Sequence, residues 1–294
     1  MLIANAIGYA WLGHLSDVYF NTFTDIDMRL FNIIVLRLYS IMENQLLVAI
    51  PMFILMGVML DKSGIAQSMI HSLQRLFGKL HGGLALTVAF VGILLAASTG
   101  IIGASVVLLT LLTLPIMKQQ GYSKTTSLRI IAASRTLGIL IPPSIMLVLM
   151  ADILAISVGD LFKAALLIGL LLGSSYVFYI IIIGIIRPGW MPLSENEHKP
   201  FNLAFIIEVI QTVLPPLLLI FLVLGSIFYG IATPTEASGL GAFGAMALAL
   251  VRKKLTIPNF LQSQTKTYRT LSYIFSIVIA ATIFSLVLRL LGGG

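Results

Sequence analysis

The sequence predicts an all-α, polytopic membrane protein, and three observations carry that prediction. Hydrophobic residues make up 59% of the 294 residues and charged residues only 10%, whereas a soluble domain carries about 25% charged residues. Apolar runs long enough to cross a lipid bilayer recur along the chain. The basic residues behind the net charge of +7 lie between those runs, where they act as topology signals, so they do not indicate a nucleic-acid partner.

Composition also limits the chemistry. The chain has no cysteine, which excludes disulfides and thiolate-bound metals. Its four histidines lie in scattered polar segments and form no ligand set, so we expect no bound metal or other cofactor. Neither a glycine-rich phosphate loop nor a nucleophile–base motif occurs, so we do not expect an enzyme.

The chain begins with a segment of mixed character. Residues 1–45 alternate aromatic and acidic side chains, which predicts amphipathic helices lying at the membrane interface. The first apolar run that predicts a membrane span follows at residues 46–60 and contains Pro51 and Gly57. It ends at Asp61-Lys62-Ser63-Gly64, where we expect Gly64 to stop the helix.

The rest of the chain is organised around the apolar run 83–117. As one helix, its roughly 34 residues would extend about 51 Å, while a hydrocarbon core is about 30 Å thick and two crossings need about 40 residues. A re-entrant hairpin over residues 84–117 fits, with half-helices at 84–97 and 106–117 and a tip at 98–105 inside the membrane. A single helix packed through small residues at every fourth position is the alternative.

The lysines and arginines favour the hairpin. If residues 84–117 return to the side they left, four connectors face one compartment, namely 61–83, 118–135, 187–204 and 252–269, and they hold fourteen of the eighteen basic residues. The positive-inside rule then places these connectors in the cytoplasm. If the run crossed the membrane once, the three basic residues of 61–83 would face one compartment and the other eleven the opposite one. That distribution is also uneven, so the charge pattern favours the hairpin without excluding the single helix.

The tip of this hairpin offers groups suited to a cation. Its hydroxyl and backbone groups belong to Ser98, Thr99, Gly100, Gly103 and Ser105. Hydroxyl and carbonyl oxygens from an unwound turn are typical ligands of Na⁺ in transporters. The start of the returning half-helix would also attract a carboxylate. A tightly packed, fully hydrogen-bonded helix crossing is the plainer interpretation.

A second break follows in the apolar stretch 130–150. Pro142-Pro143-Ser144 removes two backbone donors and drives Pro142 out of the α region, which predicts a broken helix over residues 128–151. An ordinary proline kink is the alternative.

Arg135 lies among apolar residues, so it is either an intramembrane functional residue or a side chain that snorkels to the cytoplasmic edge.

The remaining apolar spans are predicted at 164–186, 209–232, 237–251 and 270–288. Pro215-Pro216 falls in the first turns of its span, where proline is tolerated, and is interpreted as structural. Thr233-Pro234-Thr235-Glu236 predicts a capping box, with Thr233 as N-cap and Glu236 three residues later. This box would start a helix at a membrane edge or a cavity, and a structural role is the default.

Several stretches together resemble the large membrane subunit, the DctM type, of tripartite ATP-independent periplasmic (TRAP) transporters. The matches keep the family's order and cover residues 46 to 291: residues 47–53, Leu60-Asp61-Lys62-Ser63-Gly64, Gly82-Gly83-Leu84, residues 95–104, Thr136-Leu137-Gly138, Ile141-Pro142-Pro143-Ser144, Gly159-Asp160-Leu161-Phe162 and residues 230–237.

The resemblance implies a secondary transporter of the bacterial inner membrane. It implies Na⁺ as coupling ion, an organic-acid substrate such as a C4-dicarboxylate, a small membrane subunit and a periplasmic solute-binding protein. The implied fold pairs two inverted repeats that move as an elevator. Residues 46–232 would be the first repeat and residues 233–294 the start of the second. The ion and substrate side would be lined by Ser98, Thr99, Gly100, Gly103 and Ser105, completed by Pro142, Pro143 and Ser144, with Arg135 beside them.

The chain also departs from the family pattern. The family continues for another third of its length, its usual first apolar span has no counterpart here, and Arg135 stands where the family usually has glycine. These departures predict a truncated or split permease. A non-transporting remnant or an interaction subunit is the alternative function, and an ion channel fits less well because no filter repeat occurs.

Overall fold

A computed structural model describes residues 29–78, 80–99, 102–138, 140–193 and 203–290 of the chain. Within these ranges every regular element is helical and no strand occurs, which confirms the all-α class. The helices are α1 Arg29–Glu43, α2 Ala49–Lys62, α3 Ile65–Phe77, α4 Gly83–Thr99, α5 Ile102–Gln119, α6 Lys124–Leu137, α7 Ile145–Leu154, α8 Val158–Ile186, α9 Leu203–Phe228, α10 Pro234–Val251 and α11 Ile257–Leu290, with short 3₁₀ turns at Gln45–Val48 and Pro188–Trp190.

Four described segments are long and apolar enough to cross a membrane, which makes the chain a multi-pass membrane protein. They are Gln45–Lys62, Val158–Ile186, Phe205–Phe228 and Ile257–Arg289. Three further apolar helices are shorter: Gly83–Leu95, Val106–Gln119 and Ile145–Leu154. The short ones fall in the two regions where the sequence predicts breaks.

The chain divides into two compact units. The larger comprises residues 48–267 and holds α2 to α10 and the first part of α11. The described residues of the other unit, 1–47 with 268–294, form α1, most of the first 3₁₀ turn and the remainder of α11. Most of the predicted interfacial segment, residues 1–28, lies outside the described residues. These two units are defined by contacts within the chain and do not test the predicted division into repeats at residues 46–232 and 233–294. That division stays a prediction.

Helix α2 lies at the centre of the larger unit, packed along α10 and against α4. Nine of its residues are buried. Gly241 of α10 permits the close approach, because a Cβ there would come within 2.6 Å of Met56 Sδ and 3.0 Å of Val223 Cγ2. The small residue therefore brings α2, α9 and α10 together at one point.

The end of α2 follows the sequence prediction. Ser63 closes the helix, its hydroxyl donating to the carbonyl of Leu60 at 2.6 Å. Gly64 then takes a φ of 73°, a left-handed conformation that other residues rarely adopt, and α3 starts at the next residue. The predicted stop at Gly64 is confirmed.

Three helices begin earlier than the sequence predicts, and one of them is α8, which starts at Val158 rather than 164. α9 starts at Leu203 rather than 209, so Pro215 and Pro216 lie in the helix interior and not in its first turns. Glu208, in the added turns, binds Arg75 of α3. α11 starts at Ile257, so much of the predicted basic connector 252–269 is helical. Asn259 holds that start by donating from its side-chain amide to the carbonyl of Lys254 at 2.9 Å.

Candidate functional site

The chain reverses direction between α4 and α5. A Cβ placed on Gly92 of α4 would lie 3.2 Å from Leu109 Cδ2 of α5. Along one continuous helix these positions would be about 25 Å apart. The same Cβ would overlap the side chain of Ser134 in α6. Gly92 is thus the point where α4, α5 and α6 meet, and the run 84–117 is not a single straight helix.

Both ends of this run lie against the same loop. A Cβ on Gly82, just before α4, would be 3.5 Å from Met191 Cβ, and one on Gly121, just after α5, would be 3.8 Å from Pro192 Cγ. Met191 and Pro192 are adjacent, so their Cα atoms are only about 3.8 Å apart. The start and the end of the run therefore lie close together.

The tip residues are described through their backbone only. Ser98 and Thr99 belong to the last turn of α4, and Gly103 and Ser105 to the first turns of α5. Gly100 lies outside the described residues, as do the side chains of the other four. The predicted cation ligands at the tip stay a prediction.

The proline pair interrupts the helix rather than kinking it. α6 ends at Leu137 and α7 begins at Ile145, so the predicted break falls between them. The Pro142–Pro143 peptide bond is cis, and Ile141 to Ser144 are all buried. A Cβ on Gly169 of α8 would come within 3.3 Å of the Leu140 carbonyl oxygen, so α8 covers this irregular backbone closely.

Ser144 is a buried hydroxyl at that break. It is fully buried, and its Oγ has no hydrogen-bond partner among the described residues. It precedes the first turn of α7 in extended conformation, where serine usually caps the helix, but its side chain makes no capping bond. A buried, unpartnered polar atom is rare in proteins, so Ser144 is a residue whose role the fold alone does not explain.

Arg135 is the largest fully buried side chain of the described residues, with 1% of its surface exposed. None of its guanidinium nitrogens has a hydrogen-bond partner within the described part of the chain. A side chain so deeply buried does not reach water, which removes the snorkelling alternative. Its electrostatic partner is Asp61 at the end of α2, a residue that the sequence analysis assigned only to a helix end.

The capping box at the start of α10 forms as predicted. The Thr233 hydroxyl accepts the Glu236 backbone N–H at 3.3 Å, and the Thr233 backbone N–H donates to Glu236 Oε2 at 2.8 Å. That backbone hydrogen bond, with one from the Thr233 hydroxyl, lowers the pKa of Glu236. Both residues are exposed. These contacts show that the motif starts helix α10. Whether that helix start lies at a membrane edge or a cavity stays a prediction.

Three polar contacts that the sequence did not indicate join distant connectors. Arg75 pairs with Glu208 at 3.2 Å and stacks over the ring of Phe205 at 4.3 Å. Arg252 donates to Ser68 Oγ at 3.2 Å and to the Gln211 carbonyl at 3.3 Å, and burial lowers the pKa of Arg252. The third contact joins Lys62 to the side chain of Gln262. Residues 62–75, 205–211 and 252–262 therefore share one end of the larger unit.

No group of three or more acidic or histidine side chains that could hold a metal ion occurs in the described ranges.

Comparison with known proteins decides the family. A family model described as the DctM component of tripartite ATP-independent periplasmic transporters matches residues 1–294. This chain belongs to the DctM family. DctM proteins are transporter components and not enzymes, which agrees with the absence of a catalytic motif in the sequence.

Curated relatives of this DctM-family chain differ in the solutes they are named for. The C4-dicarboxylate TRAP transporter large permease protein DctM of Rhodobacter capsulatus is 33% identical over 83% of this chain and 58% of its own length. The isethionate TRAP transporter permease protein DctMQ of Oleidesulfovibrio alaskensis is 31% identical over 81% of this chain and 37% of its own length. The ectoine TRAP transporter large permease protein TeaC of Halomonas elongata is 29% identical over 81% and 55%. The chain thus spans about half the length of the relatives it matches.

Proposed function

We propose that this chain acts within the large permease of a TRAP transporter that couples Na⁺ entry to uptake of an organic acid across the bacterial inner membrane. A periplasmic solute-binding protein would deliver the substrate, and a small membrane subunit would assist. Family membership supports the permease role. The relatives carry dicarboxylate, isethionate and ectoine names, so we propose an organic acid without naming one.

The observation that carries the proposal is the reversal of the chain between α4 and α5. Its apolar helical segments Gly83–Leu95 and Val106–Gln119 are shorter than a crossing needs, and both ends of the run meet the loop at Met191 and Pro192. We infer that the pair is a re-entrant hairpin, entering and leaving from the cytoplasmic side. Irregular backbone at its tip would then lie within the membrane, where transporters place their sites.

The ion site in this proposal lies between the hairpin tip and the proline break. The oxygens of Ser98, Thr99, Gly100, Gly103 and Ser105 would line one side, and the backbone at Pro142 and Pro143 with the Ser144 hydroxyl would line the other. α6 supports the arrangement, because Ser134 packs against Gly92 of the hairpin while the same helix leads into the break. The unpartnered oxygen of Ser144 supports it as well, since a cation would give that oxygen a partner.

The proposal is tested by Na⁺-dependent uptake in proteoliposomes that contain the assembled permease, its small subunit and its binding protein. Ser98→Ala with Thr99→Ala removes two hydroxyl ligands, so the Na⁺ concentration for half-maximal uptake should rise about tenfold, which corresponds to a loss of about 1.4 kcal/mol in the free energy of Na⁺ binding. Ser175→Ala is the matched control, because that hydroxyl is exposed and bonds only its own helix, to the Leu171 carbonyl. Unchanged Na⁺ dependence in the double variant, at normal protein levels, would refute the site.

A further inference from the structure

Arg135 and Asp61 are two buried charges of the larger unit, and no ion pair within 4.0 Å joins them. The guanidinium of Arg135 interacts electrostatically with Asp61, yet among the described residues the ion pair of Asp61 within 4.0 Å is to Lys266, not to Arg135. The side chain of Asp61 is only 6% exposed. Its Oδ1 and all three nitrogens of Arg135 lack hydrogen-bond partners in the described ranges. Arg135 is thus a buried charge without any hydrogen-bond or ion-pair partner in the described ranges, and Asp61 is paired through one oxygen only.

Such an arrangement is costly for a folded protein. A guanidinium carries five N–H donors in a fixed fork, and burying them without acceptors forfeits their hydration with nothing in return. A buried charge persists in native structures when it is paired and hydrogen-bonded. The fork of Arg135 therefore needs an acceptor that the neighbouring described side chains do not supply.

The local charge indicates what that acceptor is. Asp61 interacts with two cations, Arg135 and Lys266, and the Lys266 ammonium lies 3.9 Å from Asp61 Oδ2. One carboxylate balances one of these two cations, so the three residues together carry one net positive charge, and the unpaired cation is Arg135. A neutral acceptor such as water would satisfy the N–H groups but not the charge. A monovalent anion would satisfy both, and a guanidinium fork suits halides and planar oxyanions.

We propose that Arg135, with Asp61 and Lys266 beside it, forms a binding site for one small monovalent anion, either a halide such as chloride or a small carboxylate such as formate. The site is independent of the proposed transport function, because it follows from buried charge and unpaired donors. The competing interpretation is a direct salt bridge, in which the Arg135 and Asp61 side chains rotate into contact and leave no room for an anion.

Thermal unfolding of the purified full chain in detergent separates the two interpretations. Sodium gluconate is exchanged for sodium chloride, and in a second arm for sodium formate, at constant ionic strength and constant Na⁺ concentration. We expect a saturable rise in Tm in at least one arm, of about 5 °C at a hundredfold excess over the Kd. The arm with the lower midpoint identifies the preferred anion. A wild-type Tm that is the same in all three salts would overturn the proposal.

Variants of the two charged residues sharpen the test. Arg135→Leu should abolish the anion dependence of Tm, whereas Arg252→Leu, which removes an arginine already bonded to Ser68 and Gln211, should keep it. Asp61→Asn removes the competing carboxylate, so the anion midpoint should fall about tenfold. A direct salt bridge predicts instead that the wild-type Tm does not depend on the anion and that an anion dependence arises only in Asp61→Asn.

The site is also tested without relying on Arg135→Leu folding. Arg135→Lys keeps the charge but loses the fork, so a weaker anion dependence with a higher midpoint is expected. Crystals grown in bromide should show an anomalous peak in contact with the guanidinium in the wild type. A bromide peak elsewhere with none at Arg135 would overturn the assignment.

Discussion

Gly92 of α4 and Ser134 of α6 approach so closely that a side chain of any size at position 92 would overlap the serine. The contact joins the first helix of the run 84–117 to the helix that leads into the proline break. Because α4 leads to the hairpin tip and α6 leads to the proline break, substitutions at this contact test how the two helices are held together.

Gly92→Ala should lower the free energy of unfolding by about 1–3 kcal/mol, because the added methyl overpacks a closed junction. Gly225→Ala is the matched control. It also lies inside a helix but has open space around it, so alanine there should be neutral or stabilise by about 0.5–1 kcal/mol. Denaturation in detergent measures both. Gly92→Ala combined with Ser134→Gly should recover part of the loss, and failure to recover would show that the strain lies elsewhere.

The two ends of the run 84–117 should lie on the same face of the membrane. The chain has no cysteine, so single cysteines can be placed at Leu80 and Gln119, both exposed, and at the exposed Ile231. Leu80→Cys and Gln119→Cys should react with an impermeant maleimide from the cytoplasmic side, and Ile231→Cys from the other. Labelling of positions 80 and 119 from opposite sides would contradict the re-entrant hairpin.

The capping box of α10 should make stability depend on pH in the acidic range. The pKa of Glu236 is lowered in the folded protein, so its contribution is present above the ordinary glutamate pKa and is lost as pH falls through the lowered value. Glu236→Gln should flatten this dependence of Tm. The same acid sensitivity in Glu236→Gln as in the wild type would show that another carboxylate causes it.

Removal of the N-cap itself tests the helix start independently of charge. Thr233→Ala leaves the Glu236 backbone N–H without its acceptor and should cost about 1 kcal/mol. Thr265→Ala is the comparison, because its exposed hydroxyl bonds only the Leu261 carbonyl of its own helix. Its effect on the free energy of unfolding should stay within about 0.5 kcal/mol. An equal decrease in the free energy of unfolding for Thr233→Ala and Thr265→Ala would show that the N-cap hydrogen bond does not stabilise the helix start.

The ion pair between Arg75 and Glu208 should contribute little by charge alone. Both side chains are substantially exposed, at 38% and 52%, and such pairs have coupling energies of about 0.2–1 kcal/mol. A double-mutant cycle with Arg75→Leu and Glu208→Gln measures the coupling, which should shrink in high salt. Arg75→Leu should also lose the contact with Phe205, so its loss should exceed that of Glu208→Gln. A coupling that does not change with salt would contradict a screened, exposed pair.

Local signals in the sequence predicted the helix ends and the breaks. Gly64 stops α2, Thr233 with Glu236 starts α10, and the proline pair interrupts the chain between α6 and α7, because each effect depends on a few neighbouring residues. The run 83–117 was predicted to fold back from its length alone, and the contact of Gly92 with Leu109 shows the reversal. Its depth in a membrane stays a prediction.

Contacts between distant segments could not be predicted. The earlier start of α9 brings Glu208 into the helix that meets Arg75, and no local pattern indicates that pairing. Arg135 was recognised as an unusual charge, but its neighbour Asp61 looked like an ordinary residue at a helix end. Both α2 and α6 pack against α4, and no local pattern in the sequence indicates that shared neighbour.

The turn at Met191 and Pro192 touches the chain just before α4 and just after α5, and it follows directly from α8. Neither helix of the pair can slide along the other without detaching from this turn. Any displacement of their far end must therefore be a swing of both helices about a shared pivot, or must carry α8 with it. A covalent cross-link between positions 82 and 191 would still allow the swing about the turn. Any other displacement of the two helices would then have to move α8 with them.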